Sequence, residues 1–347
     1  MKCTPANSAR DQMCVYTSPS FANNRGISVL TAPSIAAEIA NYPSLLKPAT
    51  RHPKALFPAP FETRQLPGRG MGVIANRTIE RGERIFAHAV VGIFNTEAFL
   101  TYDDEGYEEV EELFHLAIDQ LPTDVGRLVL DLASHEEEQG MEVDGVIGRL
   151  NTNMFQATFG DEDHTVIVPE TARMNHDCRA NTMYYLDEKS LVHYTHASRK
   201  ILPGEEITTT YIDPVQRYEQ RQSVIKASWG FECTCPQCTL SPAFRAESDM
   251  RIELISSLAA ELEQEIPSAS NSSGNLVPKA ELLVSLYEQE RLDSSMEEPY
   301  RLAALANAKL GKVWEVVKWT MKATEAMIIS EGSRARMVDE LAELRGK

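Results

Sequence analysis

Long apolar runs are missing from this 347-residue sequence. No stretch of about 18 consecutive apolar residues occurs, so no helix is expected to span a membrane. An excess of positive charge is missing too. Lys and Arg number 34 against 51 Asp and Glu, giving a formal net charge of −17 and a pI of about 5.0. Nucleic-acid backbones call for a basic surface, so no direct nucleic-acid ligand is expected. Such a charge keeps a protein soluble, and it also suits a basic partner such as a Lys/Arg-rich tail. The N-terminus, MKCTPANSARDQMC, lacks the apolar segment of a secretory signal. An intracellular location is expected. Nucleus and cytoplasm are both open, and so is a leader absent from this sequence.

Cysteine is scarce, with six in all. Three of them stand as Cys233-x-Cys235-x-x-Cys238. That clustering speaks for a metal and a reducing compartment rather than a disulfide scaffold. Cys3 and Cys14 are left without a role. No Ser–His–Asp set and no paired carboxylates stand out as a catalytic group.

What is present is ordinary for a globular chain: 43% apolar and 24% charged residues, at a length that suggests about two domains. Residues 1–61 are rich in Pro, Ser, Asn and Ala. They read as an N-terminal arm with one helix, Ser34 to Ile39, behind Pro33. Pro43, Pro48, Pro53, Pro58 and Pro60 break the remainder of the arm. A Gly-rich stretch from Leu66 leads into a short strand at Val73–Ala75, and Arg84 to Phe94 is apolar and β-rich. From 96 to about 155 the texture is helical, with Val110, Leu113, Phe114, Ala117, Ile118 and Leu121 on one face. Further helices are expected at Asp124–Leu132 and Val143–Met154. Thr165–Pro169 and Ile207–Tyr211 read as strands, and Met183–Leu186 with Ser190–Tyr194 as a hairpin. Pro214 to Ser228 reads as a polar helix. Beyond Cys238, helices are expected at 248–264, 279–292, 299–310, 312–330 and 333–344, with a Ser/Asn/Gly loop at 267–278. The pair around Gly311 resembles a tetratricopeptide hairpin. No 34-residue period recurs, so a general helical bundle stays open.

Chemistry concentrates in a polar turn, Arg173 to Asn181, reading RMNHDCRAN. Asn and Asp favour turns because their side chains bond nearby backbone, while His and Cys are candidates for metal or reaction chemistry. Two later stretches answer to it: GEEITTTYID, Gly204 to Asp213, and WGFECTCPQC, Trp229 to Cys238. Tetrahedral zinc needs four ligands. Cys233, Cys235 and Cys238 supply three, and Cys178 in the polar turn is the fourth, with His176 as the alternative.

The ordered set GRGMG, NHDCRAN, GEEITTTY and CTCPQC resembles a SET-domain protein-lysine methyltransferase. The spacing is similar to the SET–MYND branch and to fungal SET proteins without the MYND finger. The motifs cover roughly residues 62–240. The resemblance implies an α+β chain. Its parts are a SET fold of small β-sheets with a pseudoknot, a helical insert (about 96–155), a zinc-binding post-SET loop (229–238) and an all-α, tetratricopeptide-like C-terminal domain (241–347). It implies S-adenosylmethionine and Zn2+ as cofactors. Arg69, Gly70, Met71 and Gly72 would lie against S-adenosylmethionine, with Asn153, Asn175 and His176 at its amino-acid end and adenine, and Phe231 stacking on adenine. Tyr211 would be the active-site tyrosine, touching both cofactor and substrate, and Trp229 would line the lysine channel. Cys178, Cys233, Cys235 and Cys238 would bind zinc. Two departures stand out. Ala180 replaces the Pro of the usual NHxCxPN pattern, costing ~1 kcal/mol of turn rigidity. The MYND finger is absent, since Phe94 runs straight into the helical insert. The expected function is methyl transfer to a lysine of a protein substrate, histone or not, by a monomer. The alternative is a SET-fold module that binds without turnover.

Overall fold

A computed structural model describes residues 2–4, 12–46, 58–100, 107–135, 144–268 and 275–332. The chain forms two compact units. The first gathers residues 1–59, 86–173 and 186–194, and the second residues 60–85, 174–185 and 195–347. Along the chain the strands are β1 (Lys2–Cys3), β2 (Cys14–Ser18), β3 (Ile27–Thr31), β4 (Phe61–Leu66), β5 (Gly70–Ala75), β6 (Arg84–Ala89) and β7 (Gly92–Asn95). They continue with β8 (Phe155–Phe159), β9 (Glu162–Ile167), β10 (Asn175–His176), β11 (Thr182–Asp187), β12 (Val192–Ala197) and β13 (Glu206–Thr209).

The first unit is built on a six-stranded sheet in the order β1-β2-β3-β7-β9-β8. The expected arm is here a correction: β2 and β3 are sheet strands, and every residue of β3 is buried. Their apolar residues Met13, Val15 and Leu30 join the core formed by the helical insert. The single expected helix does form, at Pro33–Ala40. Cys3 and Cys14, to which the sequence assigns no role, face each other across β1 and β2 and are disulfide-bonded. The stretch holding Pro48 and Pro53 lies outside the described residues.

The helical insert follows its apolar periodicity. Val110, Leu113, Phe114, Ala117, Ile118 and Leu121 are all buried in one cluster with Phe94. Helices run over Tyr107–Asp119, Thr123–Leu130 and Gly145–Asn153. Strand β7 passes directly into the short helix Thr96–Leu100, where the Asn95 side chain accepts the Glu97 amide at 2.9 Å. A side-chain oxygen satisfying a first-turn N–H is what starts a helix without a linker. The strand β8 has no counterpart in the sequence reading.

The second unit holds a four-stranded sheet in the order β10-β13-β5-β4. Its unusual step is β10, which pairs in parallel with β13 through Asn175↔Thr208 and His176↔Thr209. On its other side β13 pairs antiparallel with β5, Ile207 against Val73. Asn181 fastens the same crossing, accepting the Thr208 amide at 2.9 Å and donating to the Glu206 carbonyl at 2.8 Å. Thr182 adds a bond from its hydroxyl to the Thr208 carbonyl.

The C-terminal helices belong to this unit and share one core. They span Pro242–Ser268, Leu276–Gln289, Glu297–Lys309 and Val313–Ser330. Small residues Ala303, Ala304, Ala306, Ala323 and Ala326 are buried between the last two, allowing close approach. The last expected helix, 333–344, and the middle of the 267–278 loop lie outside the described residues. Among the described residues, no helix is long and apolar enough to cross a membrane.

Asn181→Ala is expected to leave the Thr208 amide and Glu206 carbonyl buried without partners. Each orphaned group costs about 1–3 kcal/mol, so the urea midpoint should drop well below wild type. An unchanged midpoint would show that the β10–β13 crossing does not lean on this side chain.

Candidate functional site

The site grows from β5. Gly70 has a φ of +65° and open space where a side chain would stand. Gly72 has no such room, since a Cβ there would come within 2.3 Å of Leu66 Cδ1 and 3.1 Å of Glu206 Oε1. The two glycines thus serve different needs: one backbone conformation and one close approach. Arg69, in the turn before β5, donates to the His176 carbonyl at 3.1 Å and pairs with Glu206 at 3.3 Å. Glu206 also accepts from the Asn175 side-chain amide at 2.8 Å. One carboxylate therefore ties the Gly-rich turn to the polar turn.

His176 is buried between two demands. Its Nδ1 accepts the Tyr211 backbone N–H at 3.1 Å, which places the ring proton on Nε2. Nε2 lies 3.4 Å from Cys178 Sγ and donates to it. A protonated Nε2 has no lone pair for a metal, so His176 drops out as the alternative fourth ligand. Burial lowers its pKa to about 4, keeping the ring neutral.

Tyr211 lies two residues beyond β13. Its hydroxyl donates to the Met174 carbonyl at 2.8 Å, and its ring centroid is 5.1 Å from Trp229 and 5.3 Å from His176. Burial raises the phenol's pKa, so the hydroxyl stays protonated at neutral pH. Phe231 lies 6.4 Å from His176, ring to ring, and remains 38% exposed, offering a free aromatic face. Arg69 Nε is buried without a hydrogen-bond partner among the described residues. An unused cationic donor, an open glycine backbone and an exposed aromatic ring together fit a ligand with a carboxylate and a flat heterocycle.

Beneath this lies the sulfur cluster. Cys178, Cys233, Cys235 and Cys238 are buried, free of disulfides, and have their sulfurs within 4.8 Å of one another. Cys178 Sγ is 3.9 Å from Cys233 Sγ and 3.6 Å from Cys238 Sγ. A tetrahedron with metal–sulfur bonds of about 2.3 Å has edges of about 3.8 Å. The four sulfurs can hold a metal ion. Gln222, on the helix Tyr218–Trp229, fixes the loop by bonding both the N–H and the carbonyl of Cys233, at 2.9 and 2.8 Å.

The second unit thus brings together Arg69, Gly70, Met71, Gly72, Asn175, His176, Tyr211, Trp229, Phe231 and the four cysteines. Asn153 belongs to the first unit, where its amide donates to the Ala133 and Arg149 carbonyls. His193 and His196 pack on Phe155 and Tyr185. Sequence reasoning missed Arg221 and Glu290. Arg221 is 1% exposed, and Cys178 and Cys238 beside it raise its pKa against the lowering effect of burial. Glu290 is 3% exposed and binds Arg179. Nothing in the local sequence marks either for burial. A second cluster in the first unit, Glu111, His115 and Asp144, holds a His115–Asp144 contact of 2.8 Å. There Asp144 caps the helix Gly145–Asn153.

Comparison with known proteins points to one family. The SET-domain family model matches residues 70–212. Histone-lysine N-methyltransferase set5 of Schizosaccharomyces pombe is 29% identical over 202 residues, covering 55% of this chain and 56% of that protein. Human N-lysine methyltransferase SMYD2 is 24% identical over 172 residues, 49% of this chain and 37% of that one. A Drosophila melanogaster SET domain-containing protein, SmydA-8, is 35% identical over 97 residues, 27% of this chain and 21% of that one. The chain carries a SET domain, set within the expected mixture of small sheets, helical insert and C-terminal helices. Within that class it resembles the SET–MYND branch and the fungal SET proteins. Each match spans little more than half, or less, of the relative's length.

The His176 environment sets a pH test. An unfolded histidine takes its proton near pH 6.5, whereas the native ring resists until about 4. Between these values the unfolded state binds more protons, so this histidine's contribution falls as pH falls. The stability gap between wild type and His176→Gln should shrink from about pH 7.5 to about pH 5, measured by urea unfolding. A gap independent of pH would contradict the neutral, accepting ring.

Proposed function

We propose that this chain is an S-adenosylmethionine-dependent protein-lysine methyltransferase with Zn2+ in the Cys178, Cys233, Cys235 and Cys238 site. The observation that carries the reading is Tyr211. Its desolvated, protonated hydroxyl is anchored on the Met174 carbonyl beside Trp229, and its backbone N–H is tied to His176. When bound, S-adenosylmethionine supplies an electrophilic methyl group on a sulfonium. Arg69 and Asn175 would hold its amino-acid end, the Gly70–Gly72 backbone would lie along it, and Phe231 would cover the adenine. Asn153 is assigned to the same ligand by resemblance alone. The Tyr211 oxygen keeps its lone pairs for the partly positive methyl, because its proton is spent on Met174. Tyr211 and Trp229 form an aromatic slot that orients a lysine amine in line and strips its water, favouring the neutral nucleophile.

The softness and spacing of four thiolates suit zinc. The substrate is a protein presenting a lysine, and the net charge of −17 favours a basic segment as the approach. In this reading the helices from Pro242 onward form a tetratricopeptide-like domain, and the chain acts as a monomer.

Isothermal titration of zinc-loaded protein with S-adenosylmethionine should show saturable binding. Radiolabelled transfer to a lysine-peptide library should then drop by about 10²-fold or more in Tyr211→Phe with cofactor affinity little changed. Equal transfer by the variant would remove Tyr211 from the mechanism. Binding without any transfer by wild type would mark a module that binds but does not turn over.

A further inference from the structure

Four thiolates around a divalent cation leave two negative charges in a buried place. Cys178 and Cys235 are fully buried and Cys233 and Cys238 are 5% exposed. Buried charge without compensation is strongly unfavourable. Two guanidinium groups stand there. Arg221, on the helix Tyr218–Trp229, is 1% exposed and donates to the Gln216 carbonyl; burial opposes its charge, but Cys178 and Cys238 beside it raise its pKa. Arg179 follows Cys178 directly, and its Nη1 donates to the Cys178 carbonyl at 2.8 Å and to the Pro214 carbonyl at 3.2 Å.

Arg179 does not end its contacts there. Its Nη2 reaches Glu290 Oε2 at 2.8 Å and its Nε the Glu290 carbonyl at 2.5 Å, with side chains 4% and 1% exposed. Glu290 lies just past the helix Leu276–Gln289. Its carboxylate also accepts from Ser248 at 2.7 Å, from Arg251 at 2.7 Å, and from Gln237 at 3.3 Å. Gln237 is the residue before Cys238. A single carboxylate from the helical region is therefore bonded to the neighbours of two of the four cysteines.

We propose that Arg221 and the Arg179–Glu290 pair form an outer shell of the metal centre, neutralising the thiolates and making metal retention depend on the C-terminal helices. Glu290 is a positioning residue in this arrangement: it touches no cysteine and acts through Arg179 and Gln237. Arg221 meets the charge directly. Metal loss should in turn release the buried Arg179–Glu290 pair and loosen the end of the helix Leu276–Gln289.

The inference rests on the zinc reading above. The test uses full-length, zinc-loaded protein and follows metal transfer to a chromogenic chelator, with the thiolate-to-cobalt charge-transfer band of Co2+-substituted protein as a second readout. Outer-shell partners typically change metal affinity by about 10–100-fold. Arg221→Met and Glu290→Gln are each expected to weaken metal binding within that range, Arg221→Lys to recover part of the loss, and both weakened variants to shift the cobalt band. Arg251→Gln, at a half-buried residue, should give a smaller effect in the same direction and covers the case in which Glu290→Gln fails to fold. Leu283→Ala is the control. It cuts a fully buried side chain from the same helix, and it should lower the unfolding midpoint while leaving zinc release at the wild-type rate. Wild-type release by folded Arg221→Met and Arg251→Gln, or faster release by Leu283→Ala equal to that of Glu290→Gln, would overturn the proposal and leave the zinc reading standing. Wild-type protein that takes up no metal would overturn both.

Discussion

Bringing Cys178 to Cys233 and Cys238 is the constraint on which the second unit depends. The sulfurs that meet are 55 and 60 residues apart in sequence. Closing loops of that length costs entropy that grows only slowly with length, and a bound metal supplies far more free energy than the closure takes. Everything between those cysteines is held inside the closed loop: β11, β12, β13, Tyr211 and the helix Tyr218–Trp229. The position of the tyrosine is therefore a consequence of where the sulfurs meet.

Two side chains carry that constraint upward to the ligand-facing surface. His176 joins the Cys178 sulfur to the Tyr211 amide through opposite sides of one ring. Glu206 joins Arg69 to Asn175, so the Gly-rich turn and the polar turn move as one piece. Neither link is strong by itself. Their effect comes from burial, because a polar group that loses its partner there has no water to replace it.

Much of this was legible in the chain. The cysteines were readable because tight spacing of soft ligands has few other uses, and the insert because its apolar face repeats at helical period over Val110 to Leu121. Strands β2 and β3 were not. They are short, stand among Asn, Pro and Ser, and are joined through Asn23 and Asn24 with φ of +60° and +68°, a turn no periodicity announces. β10 is two residues long, defined wholly by its partner 33 positions later. Arg179 and Glu290 are 111 residues apart, and nothing local marks either for burial. What escaped was long-range pairing, where the deciding contact belongs to neither local sequence.

The insert leaves the sheet at Asn95 and returns at Phe155, and both flank β9: Asn95 opposite His164, Phe155 opposite Val166. Exit and re-entry are thus about two strand spacings apart, or roughly 10 Å. An excursion with closely spaced ends can lengthen, shorten or be exchanged with little change in closure cost. This junction is accordingly the graft point of the architecture, a socket in which insertions of different size are interchangeable while the sheet beneath keeps its register.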